Sequence, residues 1–282
     1  MAASEKPEKT AYVYMVRCAG GQLYTGWTND PASRLHAHKS GKGAKCTRAL
    51  GAQRFAYLER CTDKSAALRR EAALKKLTKA QKETLCAEWA EKNLPRLSLA
   101  TRADAAEILD IYNWYVLHHT ATFQVTPSSL PEYEDWVDST RALIPLLLAR
   151  DGDGKLLGYA CAHRYHPREA YDWAVESTIY CAPDARGFGV GNTLYRALLD
   201  ILDGMGYWNV YALVADPNPA SERIHARLGF TCVGREPHTA YKFGWLGLST
   251  WWLPLRRGNE KPEPTHPLTQ EQVEEILGRY QA

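Results

Sequence analysis

Val175-Glu176-Ser177-Thr178-Ile179-Tyr180-Cys181, then Ala182-Pro183-Asp184, then Arg186-Gly187-Phe188-Gly189-Val190-Gly191-Asn192 is the stretch that decides the fold of the larger part of this chain. The first run is β-prone and reads as a strand, and Ala-Pro-Asp reads as a turn. After the glycines, Leu194, Leu198, Leu199 and Leu202 recur at helical spacing. The order is strand, glycine-rich turn, helix. The first N–H groups of a helix have no intrahelical partners, and the macrodipole adds partial positive charge there. Gly187, Gly189 and Gly191 clear side chains from that corner, so a bulky anion can approach the backbone. A phosphorylated ligand is therefore expected along Arg186, Gly187, Phe188, Gly189, Val190, Gly191 and Asn192. A dinucleotide turn would read G-x-G-x-x-G with an acidic residue about 20 positions on, and a P-loop would end in Lys-Ser/Thr. The spacing here is Arg-x-x-Gly-x-Gly, which is neither.

That pattern resembles the acyl-coenzyme A signature of the GNAT N-acetyltransferases, and its flanks resemble the phosphinothricin and methionine-sulfoximine acetyltransferases among them. The segments concerned are Thr120-Ala121-Thr122-Phe123, the run from Ala170 to Tyr180, the run from Asp216 to His225, Leu228-Gly229-Phe230, and Ala240-Tyr241-Lys242-Phe243-Gly244. The likeness extends from about Leu97 to about Leu255. It implies a mixed, mostly antiparallel sheet splayed around acetyl-CoA, with Glu176 as general base on the substrate ammonium. Backbone groups of Ile179 and Cys181 would flank the pantetheine arm, and Asn218 and Ser221 would lie along the cofactor. His225 would assist proton transfer, although a histidine on a helix face also serves as a packing residue. Phe123, Arg168 and Tyr171 would face a small-molecule amine, expected to be a small amino acid or analogue with an anionic or sulfoximine side group. Two departures bear on that substrate. His166 stands where herbicide-resistance members carry lysine, and Trp245-Leu246-Gly247-Leu248-Ser249 departs from the usual Trp-x-Asp. A protein or peptide amine is the alternative acceptor. The resembling enzymes pair as homodimers, and Trp251 and Trp252 offer an apolar patch for that contact.

At 282 residues and 45% hydrophobic content, the chain is long enough for two cores. No apolar run approaches the roughly 18 residues of a membrane span. The polar start Met1-Ala2-Ala3-Ser4-Glu5-Lys6 lacks an apolar signal core, and the seven cysteines form no C-x-x-C pair. Reduced thiols and a cytoplasmic location are expected, with Cys18, Cys46 and Cys61 as small buried hydrophobes. The net charge of +3 conceals an asymmetry. Residues 1–94 carry 18 Lys/Arg against 9 Asp/Glu, a net of +9, so the remainder has 17 against 23, a net of −6. A basic unit joined to a mildly acidic one suggests a polyanion-binding module beside a small-molecule domain.

In the basic part, Ala11-Tyr12-Val13-Tyr14-Met15-Val16-Arg17 and Gln22-Leu23-Tyr24-Thr25-Gly26-Trp27 read as a hairpin turned at Ala19-Gly20-Gly21. Pro31 opens a helix through Arg34, Leu35 and His38 that ends near Gly41. A third strand, Phe55 to Glu59, leads to a long helix capped near Thr62 or Asp63. On it Ala67, Leu68 and Leu74 share a face, and Glu71 falls on the same stripe. A carboxylate there is costly to bury unless it is paired or bound to a metal.

These segments resemble the GIY-YIG nucleases over about Thr10 to Leu85, with Tyr12-Val13-Tyr14 and Tyr24-Thr25-Gly26 at the two motif positions. Both motifs are degenerate. Arg34-Leu35-His36-Ala37-His38, Gly41-Lys42-Gly43-Ala44-Lys45 and the run Leu68 to Leu77 complete the likeness. It implies nucleic acid, most readily DNA, as partner, and a single Mg²⁺ or Mn²⁺ held by Glu71. Arg34 would engage phosphate through its planar fork. Tyr14 and Tyr24 would position or deprotonate water, helped by His38, Lys42 or Lys45, because a free phenol holds its proton at neutral pH. Plainer readings stand beside these: cross-strand packing for the tyrosines, an i,i+4 pair with Lys75 for Glu71, and surface positions for Arg34 and His38. A binding module without cleavage is the alternative to a nuclease.

Asn93-Leu94-Pro95 breaks the charged helix before it, so the expected division is 1–94 for the GIY-YIG part, 95–257 for the acetyltransferase part, and 258–282 for a linker and a short terminal helix. Leu97 to Ala100 reads as a first strand, and Asp104 to Leu117 as a helix with Ala105, Ile108, Leu109, Tyr112 and Tyr115 inward. Asp151-Gly152-Asp153-Gly154 reads as a hairpin turn between Leu146–Ala149 and Leu156–Arg164. Lys261-Pro262-Glu263-Pro264 looks like a linker, and Thr269 with Gln272 forms a capping box. The fold class expected is α+β in both parts: a three-stranded antiparallel sheet with helices, then a mixed, mostly antiparallel sheet with helices.

Overall fold

Residues 11–185 and 189–280 are described by the structure, a computed structural model, and the chain divides into two compact units between Leu94 and Pro95. The first unit runs β1 (Ala11–Cys18), β2 (Leu23–Thr28), α1 (Pro31–Lys39), α2 (Lys45–Leu50), β3 (Ala52–Cys61), α3 (Lys64–Lys76) and α4 (Lys79–Asn93). Its antiparallel sheet has the order β2-β1-β3. Local chemistry places the helix starts. Asp30 accepts from the Ser33 N–H at 3.0 Å with Pro31 behind it, and Asp63 accepts from the Ala66 N–H at 2.8 Å. Helix α3 lays Ala67 and Leu74 against Val13, Met15, Ala56 and Tyr57. Leu68, expected on that stripe, is 43% exposed. Positions 67, 71 and 74 follow one line along a helix, whereas 68 turns about 100° away from it. Helix α2 has no apolar periodicity in the sequence, and its one buried residue is Thr47.

The second unit runs β4 (Arg96–Leu99), α5 (Ala105–His118), α6 (Leu130–Leu143), β5 (Leu147–Arg150), β6 (Leu156–Arg164), β7 (Ala174–Cys181), α7 (Val190–Gly204), β8 (Asn209–Asp216), α8 (Pro219–Leu228), β9 (Thr231–Tyr241), β10 (Trp245–Pro254) and α9 (Gln270–Gly278). Its seven strands lie in the order β4-β5-β6-β7-β8-β10-β9. Every pairing is antiparallel except β7 with β8, which α7 connects as a crossover. The core joins α5, α6 and α7 to the sheet, with Leu194, Tyr195, Leu198, Ile201 and Leu202 on the inner face of α7. The three-stranded and the mixed sheet are those expected.

The stretch that resembled a linker is docked. Trp173 donates its indole N–H to the Glu263 carbonyl at 2.7 Å, the His266 N–H reaches Met205 O at 3.0 Å, and Val273, Ile276 and Leu277 of α9 enter the core. Its prolines cannot donate to a ladder, but the carbonyls between them still accept. Trp251 also departs from expectation. It is 8% exposed and belongs to the core, and Trp252 donates its indole N–H to Asn209, so the pair forms no open apolar patch. Strand β10 is an interior strand, flanked by β8 and β9, and its alternate side chains turn inward. No helix among the described residues is long and apolar enough to cross a membrane.

Candidate active sites

In the second unit, β7 and β8 are in register only at Ala174↔Asn209, Val175↔Val210 and Glu176↔Tyr211, and they part beyond that point. Backbone alternation fixes what faces the opening. The Ala182 N–H donates to Leu157 O at 2.8 Å and the Tyr165 N–H to Ala174 O at 3.3 Å, which makes the even-numbered residues of β7 those bonded to β6. The backbone groups of Ser177, Ile179 and Cys181 are therefore directed the other way, into the fork. The Cys181 carbonyl accepts there from the Tyr115 hydroxyl at 2.7 Å. Glu176 stands at the vertex, half-buried, with one carboxylate oxygen 3.6 Å from His163 Nε2 on β6.

Helix α7 begins beside the outer end of the fork. Gly189 occupies its N-cap with φ +80°, left-handed backbone that glycine adopts without strain. Gly191 lies close to β7 and α8, where a Cβ would approach Cys181 Sγ and Ile224 Cδ1 to 3.3 Å. Val190 and Asn192 follow in the same first turn. Arg186, Gly187 and Phe188 lie outside the described residues. Asn218 caps α8, accepting from the Ser221 N–H at 3.2 Å. His225 is 3% exposed. Its Nδ1–H donates to the Ser221 carbonyl at 2.8 Å, which leaves Nε2 to accept from the Tyr195 hydroxyl at 3.0 Å, and Tyr195 in turn meets Ser177 Oγ at 2.6 Å. Burial holds the His225 pKa below its ordinary value, so the ring is neutral and locked among core groups.

On the Glu176 side of the sheet, Tyr165 stacks on Tyr211 with ring centroids 4.1 Å apart, and His166 packs against Tyr171 at 4.7 Å. Arg168 and Tyr171 share one short turn between β6 and β7, the Tyr171 N–H donating to Arg168 O. A hollow of about 240 Å³ opens beside them, walled by Tyr171, Trp173, Trp208, Tyr211 and Pro262. Phe123 belongs to the loop after α5. There Lys242, only 4% exposed, donates to the carbonyls of Thr122 at 2.9 Å and Tyr115 at 3.2 Å. Lys242 lies in a segment that carries the acetyltransferase resemblance, yet nothing in its local sequence gives it a task. Its partners are main-chain carbonyls more than 100 positions away, a contact that leaves no motif.

The first unit draws five residues of interest together: Tyr14, Tyr24, Arg34, His38 and Glu71. Tyr14 is fully buried; Arg34 donates its Nε–H to the phenol oxygen at 2.9 Å, and His38 Nε2 lies 2.7 Å from the same oxygen. The ring tautomer follows from Thr47, which donates to Ala44 O at 2.9 Å and so accepts from His38 Nδ1–H at 2.6 Å. His38 Nε2 is then an acceptor, and Tyr14 donates to it. Burial, with Arg34 nearby, lowers the His38 pKa, and burial raises that of Tyr14 against the opposing pull of Arg34. Tyr24 stands 6.4 Å from Tyr14, ring to ring, and 5.2 Å from His38. The space for Tyr14 is made by Gly26 opposite it, where a Cβ would fall 2.6 Å from the phenol oxygen. Glu71 is close enough for its charge to raise the Tyr14 pKa, and it pairs with Lys75 at 2.6 Å. Lys42 and Lys45, considered as helpers, are exposed, and the phenol bonds to His38 instead. Among the described residues no three His, Cys, Asp or Glu side chains converge as a metal cage. Glu71 suits a hard divalent cation that draws its other ligands from water and a phosphate.

Residues 10–84 match the GIY-YIG catalytic domain, and residues 108–230 match the acetyltransferase (GNAT) family. The chain is 35% identical over 170 residues to phosphinothricin N-acetyltransferase of Streptomyces viridochromogenes, spanning 60% of this chain and 90% of that relative. It is 37% identical over 155 residues to an L-methionine sulfoximine/L-methionine sulfone acetyltransferase of Pseudomonas aeruginosa, spanning 54% and 90%. The crystal structure of a GNAT phosphinothricin acetyltransferase from Sinorhizobium meliloti in complex with AcCoA superposes with a TM-score of 0.58 at 33% identity, spanning 60% of this chain and 93% of that one.

Proposed function

The chain belongs to the GNAT acetyltransferase family and carries a GIY-YIG domain, and from that premise we propose that it transfers the acetyl group of acetyl-CoA to the amine of a small amino acid or analogue. The observation that carries this reading is the fork between β7 and β8 with a carboxylate at its vertex. Acetyl-CoA supplies an activated thioester. Its pantetheine arm suits the amides of Ile179 and Cys181, and its diphosphate suits the α7 start, Gly189 to Asn192 together with Arg186, Gly187 and Phe188 of the sequence signature. Glu176 takes a proton from the substrate ammonium, which frees the lone pair for attack. Asn218 and Ser221 lie along the cofactor; His225 orders that wall through Tyr195 and Ser177. Arg168, Tyr171 and Phe123 receive the acceptor. Phosphinothricin and methionine sulfoximine are the acceptors named for the relatives, and they are the first to try.

A panel of those two compounds, ordinary amino acids and short peptides, followed by thiol release from acetyl-CoA, tests the proposal. Turnover of peptides alone would overturn the small-acceptor reading. Glu176→Gln is expected to lower kcat by about 10²- to 10⁴-fold with acetyl-CoA affinity retained.

For the first unit we propose phosphodiester cleavage with Mg²⁺ or Mn²⁺ at Glu71. Support comes from the convergence of Tyr14, Tyr24, Arg34 and His38 near that carboxylate. Arg34 reaches phosphate oxygens, and His38 is a neutral acceptor for the Tyr14 proton. Branched and nicked DNA incubated with Mn²⁺, beside Glu71→Ala, distinguishes cleavage from binding alone. Equal inactivity of the two proteins would leave a binding module.

A further inference from the structure

We propose that His163 is the proton outlet of Glu176: a positioning residue that receives the ammonium proton from the carboxylate and passes it to water. The inference rests on Glu176 being the base. His163 and Glu176 are cross-strand partners on β6 and β7, and they belong to the bonded set of that ladder, so their side chains leave the same face side by side. The facing atoms, His163 Nε2 and Glu176 Oε2, are 3.6 Å apart. Exposure is graded along the pair: 21% for the Glu176 side chain and 54% for that of His163. The carboxylate is set into the fork, and the imidazole leads from it to solvent.

Proton balance gives such a group a task. In each turnover the C–N bond forms and the C–S bond breaks. The ammonium nitrogen loses two protons; one goes to the departing thiolate sulfur and the other leaves as H⁺. The proton taken by Glu176 must therefore be shed before the next acceptor binds. An imidazole is ordinarily a stronger base than a carboxylate, and its two nitrogens let it accept at one and release at the other. Other titratable groups coupled in charge to Glu176 are Cys161 on β6, Tyr165 just after it, and Tyr195 from α7. Tyr211 is the partner of Glu176 on β8. Burial pushes the Cys161 thiol up to about 12 and raises the three phenols, so all four keep their own protons. His163 carries the basic atom among them.

The test uses the full chain with acetyl-CoA and L-methionine sulfoximine, measuring kcat and KM over a series of buffer concentrations. His163→Ala and His163→Gln are expected to lower kcat roughly tenfold, less than loss of the base itself, with KM within about twofold of wild type. Added imidazole is expected to restore kcat in the alanine variant, whereas wild type is indifferent to it. Unchanged kcat, or a raised KM with no rescue by imidazole, overturns the outlet. Glu176→Gln separates the two ideas. If it keeps full kcat, the base assignment fails and takes the outlet with it; if it is inactive while both His163 variants are normal, only the outlet fails.

Discussion

Replacing Gly189 by alanine isolates a backbone contribution at the head of α7. The residue sits at φ +80°, and a Cβ built on it meets nothing within 4 Å, so the substitution introduces no clash. What remains is the cost of left-handed backbone for an L side chain, about 1–2 kcal/mol. That cost can surface in two places. If the variant keeps the left-handed turn, unfolding of the second unit becomes easier by that amount, a fall of roughly 2–4 °C in Tm per kcal/mol at this domain size. If the turn relaxes to negative φ, stability is retained, but the amides of Val190 and Gly191 swing away from the ligand. Acetyl-CoA must then restore them, and its Kd rises by about 5- to 30-fold for the same 1–2 kcal/mol. The losses in unfolding and in binding are thus expected to sum to about 1–2 kcal/mol, read by thermal unfolding and by calorimetric titration with acetyl-CoA. Gly189→Asn, which tolerates αL better, is expected to lose less. An alanine variant unchanged in both assays would refute the reasoning, as would an asparagine variant that loses as much as alanine.

In the first unit the glycine at 26 matters for space. A Cβ there lies 2.6 Å from the Tyr14 oxygen and 2.8 Å from Cζ, so Gly26→Ala is expected to destabilise that unit by about 1–3 kcal/mol in denaturant unfolding, with loss of any Mn²⁺-dependent cleavage. His225 gives a pH dependence. Its folded pKa lies below the ordinary 6.5, so the unfolded chain binds its proton first as pH drops. The stability involved is complete above pH 6.5 and declines below it until the folded value is passed, at no more than about 1.4 kcal/mol per pH unit. His225→Phe is expected to remove that part of the slope in thermal melts at stepped pH. Finally, Ile276→Ala in α9 is expected to cost the second unit about 2–4 kcal/mol. A melt indistinguishable from wild type would mean that the C-terminal helix is not part of that core.

Sequence alone determined both sheet types and pointed to the segments that build each candidate site, because these rest on signals that lie close together along the chain. The strand, glycine turn and leucine-spaced helix at 175–202 sit in one continuous segment, and the Tyr14, Tyr24, Arg34 and His38 positions lie within 25 residues of one another. What tertiary structure alone decided is which atoms of different elements meet. Thr47 fixes the His38 tautomer, Lys242 clamps the carbonyls of Tyr115 and Thr122, His163 faces Glu176 on the adjacent strand, and Glu263 and His266 of the proline-rich stretch bond to Trp173 and Met205. Trp251 is buried for the same reason, because β10 is flanked on both sides. Periodicity tells which residues share a face, whereas only the neighbouring strand or helix decides whether that face is covered.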